Sequence, residues 1–143
     1  MHRVFGNKEN VIYLERKGAY LIPIKDNKVA VVKTPKGLFL LGGGSETNEI
    51  DSDTIIRECI EEVGCKAFIE KLVCTAETYM YHPQIGYFHP IQAYYLGELS
   101  EQEQVPKEND HCLEWIDYNE LRGKMFSEMQ NWALDMCWEV FKH

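Results

Sequence analysis

The sequence has few cysteines and none in a pattern that binds zinc or builds a disulfide framework. Its five cysteines are odd in number, and no two are separated by only two or three residues. Cysteine without such spacing usually behaves as a small buried hydrophobic residue in a reducing compartment. We therefore expect free thiols, in a cytoplasmic protein, at Cys59, Cys65, Cys74, Cys112 and Cys137.

Long apolar runs and basic clusters are also absent. The longest apolar stretches, such as residues 19–22, are only as long as a strand, which excludes a membrane span. Residues 1–8 lack the apolar core of a signal peptide, which predicts that the protein is not exported. The 15 basic and 23 acidic residues give a net charge of −8, and the lack of a basic cluster argues against stable nucleic-acid binding. An acidic protein can still bind an anionic substrate when metal ions lie between them.

What is present is typical of one globular domain spanning residues 1–143, with 45% hydrophobic residues. Apolar runs at 18–25 and 29–33 flank a turn and predict a hairpin. Amphipathic patterns predict helices over 51–63 and 127–141. Further strands are predicted at residues 38–41, 68–73, 76–82, 88–96 and 112–116, with a helical turn at 118–121. Because strands and helices mix without strict alternation, we predict an α/β fold in which helices cover both faces of a mixed sheet.

The first predicted helix carries three glutamates on one face. On a helical wheel that advances 100° per residue, Glu58, Glu61 and Glu62 fall opposite an apolar stripe centred on Ile56. Such an acidic face is usually only solvated, although like charges at this spacing repel one another. Arg57 can pair with Glu61 but cannot neutralise all three carboxylates. The helix alone therefore leaves a solvated face and a cation site as alternatives.

Three consecutive glycines before this helix favour the cation site. The run Gly42-Gly43-Gly44 allows a sharp turn and lets a backbone group point at a ligand. It is not followed by Gly-Lys-Ser/Thr, so it is not a phosphate-binding P-loop. Mg²⁺ and Mn²⁺ take carboxylate and carbonyl oxygens and share their remaining positions with water and substrate phosphates. The glutamates with a glycine carbonyl would supply such a ligand set.

The residues from Gly43 to Cys65 resemble the Nudix box, the signature of the Nudix hydrolases. All seven fixed positions of that pattern match, in the order Gly43, Glu49, Arg57, Glu58, Glu61, Glu62 and Gly64. Residues 40–46 and 113–121 also resemble the family's entry to the box and its late strand and turn. The chain departs from the pattern at Leu41, where a proline is usual, and by placing cysteine at two apolar positions. The resemblance implies a Nudix-like α/β/α sandwich with a mixed sheet between helices.

By this resemblance, the box holds one or two divalent cations, Mg²⁺ or Mn²⁺. Glu58 and Glu62 would hold one ion, and Glu61 would share a second ion or act on water. The carbonyl of Gly42 or Gly43 would be the ligand that is not a carboxylate.

The resemblance also implies supporting and catalytic roles near these ligands. Glu49 and Arg57 would form an internal brace in which Arg57 orients carboxylates by charge-assisted hydrogen bonds. The general base is open between a box glutamate such as Glu61 and a carboxylate of a later loop, where Glu108 is the candidate.

The activity implied is hydrolysis of a nucleoside diphosphate linked to another group. A (deoxy)nucleoside triphosphate in a MutT-type role is the leading substrate, with an ADP-sugar or a dinucleoside polyphosphate as alternatives. Outside this class, a non-catalytic nucleotide sensor is a further alternative, although such proteins usually lose box carboxylates. Aromatic residues at 79–82 and 87–89 could stack on a base, but sheet packing is the favoured interpretation. The sequence leaves the oligomeric state open, a homodimer included.

Overall fold

Nine strands and three helices follow one another through the residues that a computed structural model describes, 1–107 and 109–143. In chain order they are β1 (His2–Phe5), β2 (Leu14–Lys25), β3 (Lys28–Thr34), β4 (Gly37–Phe39), β5 (Leu41–Gly44), α1 (Asp51–Val63), β6 (Ala67–Thr78), β7 (Met80–His82), β8 (Gly86–Leu99), β9 (Cys112–Asp117), α2 (Tyr118–Leu121) and α3 (Glu128–Lys142). No helix in these ranges is long and apolar enough to cross a membrane.

Strand β2 lies at the centre of the sheet. It runs parallel to β8, from Leu14 beside Phe88 to Pro23 beside Gly97. Its middle also pairs antiparallel with β5, and its last residues pair antiparallel with β3. The strand order is β1-β6-β8-β2-β3-β4, with β9 on β3 and β7 on β8. Parallel and antiparallel pairs thus occur together, and the predicted mixed sheet is confirmed.

Helices α1 and α3 cover opposite faces of this sheet. Because successive strand residues point to opposite faces, β2 contributes to two cores. Leu21 packs in the core that contains Ile55 and Cys59 of α1. Ile22 packs in the core that contains Leu134 and other residues of α3. The predicted α/β/α sandwich is therefore confirmed.

Several predicted elements agree with the structure and others differ. The strand predicted at 38–41 is divided between β4 and β5, with Leu40 in neither. Helix α1 covers the predicted residues, and the helical turn α2 and helix α3 lie where they were expected. Strand β6 is one strand where the sequence predicts a break near residues 74–75. Register shifts between Ile69 and Lys71 and between Leu72 and Cys74 interrupt its alternation, which hides its continuity in the sequence. The short parallel strand β1 was not predicted.

The buried face of α1 differs from the prediction. Ile55 is fully buried, whereas Ile56 is 43% exposed. Glu62 is only 8% exposed and lies on the buried side, not opposite it. Since β5 consists largely of glycine, its surface leaves room for carboxylates beneath the helix. The acidic face is therefore not a solvated one: part of it lies at the interface between α1 and β5.

Candidate metal centre

Arg57 lies at the centre of the acidic cluster. Its Nε and Nη2 donate to the two carboxylate oxygens of Glu49, at 2.7 and 2.9 Å. Its Nη1 donates to Glu58 Oε1 at 2.7 Å and to Glu61 Oε2 at 3.3 Å. The Nη2 group also donates to the Gly44 carbonyl at 3.0 Å. Arg57 thus joins the start of α1 and the glycine run to two of the predicted ligands.

These contacts leave the carboxylates with different pKa values. The hydrogen bonds from Arg57 lower the pKa of Glu49 to about 2, and the same bonds raise the pKa of Arg57. Burial, together with a smaller effect of the side-chain contact with Glu61, raises the pKa of Glu58 to about 7 against the opposing effect of Arg57. Glu58 and Glu61 are therefore a crowded acidic pair that one guanidinium does not fully compensate.

Glu62 is held by the backbone of the glycine run. The Gly42 amide donates to Glu62 Oε1 at 3.0 Å. The other carboxylate oxygen, Oε2, lies 3.9 Å from His111 Nδ1. Gly42 has a φ of 145°, and a Cβ there would lie 2.2 Å from the Ala19 carbonyl oxygen. Only glycine fits this position, so the amide that fixes Glu62 depends on it.

Gly43 makes room for Glu58. A Cβ on Gly43 would lie 1.9 Å from Glu58 Oε2, which is closer than any real contact. The glycine run was expected to offer a carbonyl, and what it contributes in this structure is an amide donor and space for a carboxylate. The role of the Gly42 carbonyl as a ligand stays a prediction.

The structure brings together all but one of the predicted site residues. Gly42, Glu58, Glu61, Glu62 and the brace Arg57 meet where α1 crosses β5. The proposed base Glu108 lies outside the described residues. Asp110, from the same loop, lines a cavity together with Glu62.

The donor set fits a hard divalent cation. Arg57 forms ion pairs with four carboxylates, those of Glu46, Glu49, Glu58 and Glu61, so negative charge exceeds positive charge in the cluster. Carboxylate oxygens are the ligands that Mg²⁺ and Mn²⁺ prefer. Within residues 1–107 and 109–143, no three acidic, histidine or cysteine side chains are arranged to coordinate an ion as they stand. In this arrangement the Arg57 guanidinium supplies the positive charge beside Glu58 and Glu61.

One cavity reaches the carboxylates, and a second cavity adjoins the first. The first, about 400 Å³, reaches Glu62, His111 and Lys36. The second, about 510 Å³, shares Tyr20 and Phe39 with the first. We call the second one the aromatic cavity; its other wall residues include Phe88, Gln92, Phe126, Glu128, Met129 and Gln130.

Of the aromatic residues that the sequence indicated at 79–82 and 87–89, Phe88 lines the aromatic cavity and the tyrosines do not. Tyr79 stacks on His89 with ring centroids 4.1 Å apart, and Tyr13 packs edge-on against Tyr79 and Tyr87. These tyrosines line neither cavity near the carboxylates, so packing was the better interpretation for them. Phe39, Phe126 and Gln130 were missed, because residues this far apart in the chain share no spacing pattern. The one available signal was Ser127-x-x-Gln130, which resembles a helix capping box.

Comparisons with known proteins agree on one family. The model of the NUDIX domain matches residues 11–136. The fold is similar to a MutT NUDIX hydrolase from Burkholderia pseudomallei, with a TM-score of 0.67 and 21% identity, covering 86% of this chain and 98% of that chain. A NUDIX hydrolase from Nitrosomonas europaea has a TM-score of 0.71 and 16% identity, and the match covers 89% of this chain and 90% of that chain. An ADP-ribose pyrophosphatase from Streptococcus suis has a TM-score of 0.69 and 16% identity, and the match covers 90% of this chain and 92% of that chain. No curated protein sequence matches significantly.

Proposed function

The chain belongs to the Nudix family of hydrolases, and we propose that it hydrolyses a nucleoside diphosphate linked to a further group, using Mg²⁺ or Mn²⁺ held by Glu58, Glu61 and Glu62. The observation that carries this proposal is the placement of two of these carboxylates against adjacent glycines, Glu62 on the Gly42 amide and Glu58 beside Gly43. A divalent cation bound there would neutralise pyrophosphate charge that otherwise repels an attacking water.

The surrounding residues position these carboxylates. Arg57 Nη1 orients Glu58 and Glu61 through charge-assisted hydrogen bonds, and Glu49 fixes the guanidinium from its other edge. The Gly42 amide fixes Glu62 Oε1 and leaves Oε2 directed towards the side of His111. These contacts support the brace role proposed for Arg57 and Glu49.

A (deoxy)nucleoside triphosphate is the leading substrate, in a MutT-type role, and an ADP-sugar or a dinucleoside polyphosphate is the alternative. Similar structures include both a MutT hydrolase and an ADP-ribose pyrophosphatase, and at this identity they support the fold without choosing between substrates. The five cysteines are free thiols and four are buried, which supports the proposal of a reducing, cytoplasmic location.

Hydrolysis of a substrate panel tests the proposal. Nucleoside triphosphates, ADP-ribose and dinucleoside polyphosphates are each incubated with Mg²⁺, Mn²⁺ or EDTA, and released phosphate or pyrophosphate is measured. We expect activity with a divalent cation and none in EDTA. Glu62→Gln retains the acceptor for the Gly42 amide but removes the charge, and kcat should fall at least about 100-fold. The exposed Glu120→Gln is the matched control and should retain wild-type kcat. Full activity in EDTA would contradict the proposal.

A separate experiment tests the general base. A base and a cation ligand differ because loss of a base lowers kcat without weakening cation affinity. We expect Glu108→Gln to lower kcat at saturating Mg²⁺ and to remove one limb of the pH profile, whereas Glu58→Gln should raise the Mg²⁺ concentration required. A wild-type kcat and pH profile for Glu108→Gln would transfer the role to Glu61 or another carboxylate.

A further inference from the structure

A separate cavity of about 530 Å³, which we call the sheet-end cavity, lies at one end of the sheet. Its walls are the ends of β2, β3 and β8, part of β9 and residues 100–102, and it shares no lining residue with the cavity that reaches Glu62. We propose that the sheet-end cavity is a second ligand site, which binds a nucleoside monophosphate with the base on Trp115 and the phosphate between Lys25 and Lys28. The inference does not depend on hydrolysis at the candidate metal centre.

Trp115 offers an aromatic surface that no other ring covers. It is 37% exposed and lines both the sheet-end cavity and a smaller cavity of about 170 Å³. The other tryptophans differ in this respect, because Trp132 packs edge-on against Phe5. Trp138 stacks on Tyr118. Within residues 1–107 and 109–143, no ring contacts Trp115. A planar base can stack on such an indole, whichever base it is.

A tight turn brings two lysines together at this cavity. Asp26 and Asn27 both have a left-handed backbone, with φ of 53° and 64°, as a type I′ hairpin turn requires. The turn places Lys25 directly opposite Lys28. Like charges directly opposite each other on paired strands repel. Neither lysine forms an ion pair with a carboxylate in the described part of the chain. An anion bound between the two lysines would therefore relieve their repulsion.

The lysines and the indole lie on one face of the sheet. Trp115 is beside Ala30, which packs in the core that contains residues of α1. Lys28 lies two residues before Ala30, so it shares this face, and so does its cross-strand partner Lys25. Two residues span about 7 Å along a strand. A ring and an anion joined by a spacer fit this separation better than a ring that carries its charge directly.

The acidic groups of the cavity favour a nucleotide over a simpler aromatic anion. The carboxylates of Asp26 and Glu101 line the cavity as well. They can accept hydrogen bonds from hydroxyl groups such as those of a ribose. They also limit the negative charge that the site tolerates, which favours a monophosphate over a triphosphate. The cavity volume is within the range of small-molecule sites. Base, sugar and phosphate thus each have a counterpart among the lining residues.

One connection of the chain contributes to both the sheet-end cavity and the candidate metal centre. Residues 100–102 line the sheet-end cavity. Asp110 and His111 line the cavity that reaches Glu62. An occupant of the sheet-end cavity would therefore contact the same connection that borders the candidate metal centre.

Nuclear magnetic resonance in EDTA tests this inference without hydrolysis. Isotope-labelled protein is titrated with AMP, adenosine and ribose 5-phosphate, and the indole N–H signal of Trp115 is assigned by its loss in Trp115→Phe. We expect AMP to shift this signal and that of the Lys28 amide to saturation, with a Kd below about 1 mM. Adenosine lacks the anion and ribose 5-phosphate lacks the ring, so each should bind at least about tenfold more weakly. AMP bound only at the candidate metal centre would shift the Gly42 amide and leave the Trp115 indole unchanged.

Variants assign the two contacts separately. Lys25→Gln and Lys28→Gln should each weaken AMP binding about threefold, and about tenfold together, without affecting adenosine. Lys71→Gln is the matched control, because it removes an exposed lysine of β6 that does not line the cavity, and it should retain wild-type affinity. Trp115→Leu keeps an apolar side chain but removes the ring, and AMP should then bind no more tightly than ribose 5-phosphate. Thermal melts confirm that each variant is folded.

Three results would overturn the inference. They are an AMP titration that leaves the Trp115 indole unshifted, equal affinities for AMP and adenosine, and an unchanged AMP affinity in the folded double lysine variant. Each would do so even if the protein hydrolyses the substrate panel. Binding of AMP at Trp115 without hydrolysis of any panel member would support the second site and contradict only the proposed function.

Discussion

Two adjacent glycines differ in what their missing side chains leave room for. A Cβ on Gly43 would lie 1.9 Å from Glu58 Oε2, whereas the nearest atom to a Cβ on Gly44 is 3.8 Å away. We expect Gly43→Ala to displace the Glu58 carboxylate and to weaken Mn²⁺ binding by about 10- to 100-fold. The far end of a glutamate is flexible, so the protein should stay folded.

Electron paramagnetic resonance of free Mn²⁺ measures this effect directly. Gly44→Ala is the matched control, because it adds the same methyl group one residue later and should bind Mn²⁺ like the wild type. Equal Mn²⁺ affinities for the two variants would show that the space beside Gly43 has no bearing on the cation site.

At this scale the sequence predicted which side chains cluster but not what surrounds them. Glu58, Glu61 and Glu62 were found because a helix brings residues three and four apart onto one side. The burial of Glu62 could not be predicted from the sequence, since burying a carboxylate is costly unless it is hydrogen-bonded. The compensating donor is the Gly42 amide, twenty residues earlier in the chain, and no local spacing indicates it.

Among the elements, the end of α1 is tied to the loop that carries the proposed base. Gly64 ends the helix with a φ of 68°, and its carbonyl accepts from the Glu103 amide at 2.9 Å. A Cβ on Gly64 would lie 1.9 Å from the Gln104 carbonyl oxygen. Gly64→Ala therefore combines left-handed backbone strain, about 1–2 kcal/mol, with a backbone clash. We expect a loss of unfolding free energy larger than that strain alone, measured by urea denaturation.

Gly123→Ala measures the effect of left-handed backbone strain without a clash. Gly123 has a similar φ of 78°, and no atom lies within 4 Å of its added Cβ. The unfolding free energy that Gly64→Ala loses beyond the loss in Gly123→Ala measures the contact between the end of α1 and the loop. If both variants lost the same stability, the loop would not depend on the helix end.

The positions of the helices along the chain were more predictable than the side of each helix that is buried. Helices α1 and α3 were located by their periodicity, which survives errors of one residue. The buried face of α1 is rotated from the predicted one, because the predicted stripe was centred on Ile56, which is 43% exposed, whereas its neighbour Ile55 is fully buried. In α3 the polar residue Gln130 is buried as well.

For the molecule as a whole, the proposed cation binding would be linked to folding. A ligand that binds only the folded state stabilises it, by about 2.7 kcal/mol at a hundred times its Kd. We expect saturating Mn²⁺ to raise the melting temperature of the wild type, and to raise that of Glu62→Gln clearly less. Differential scanning calorimetry in EDTA and in Mn²⁺ checks both. An equal rise in the two proteins would mean that Mn²⁺ binds elsewhere.

The parallel pairing of β2 with β8 also determines the order in which the protein can assemble. Leu14 lies beside Phe88 and Pro23 beside Gly97. The central strand pair therefore cannot form until β8 has been synthesised, long after β2. Helix α1 belongs to the crossover between those strands. Contacts so distant in sequence slow folding, since the loop must close before they form. We therefore expect pulse-labelled amides of α1 to gain protection together with those of β8, and a nascent chain that stops before Gly86 to have no organised carboxylate cluster.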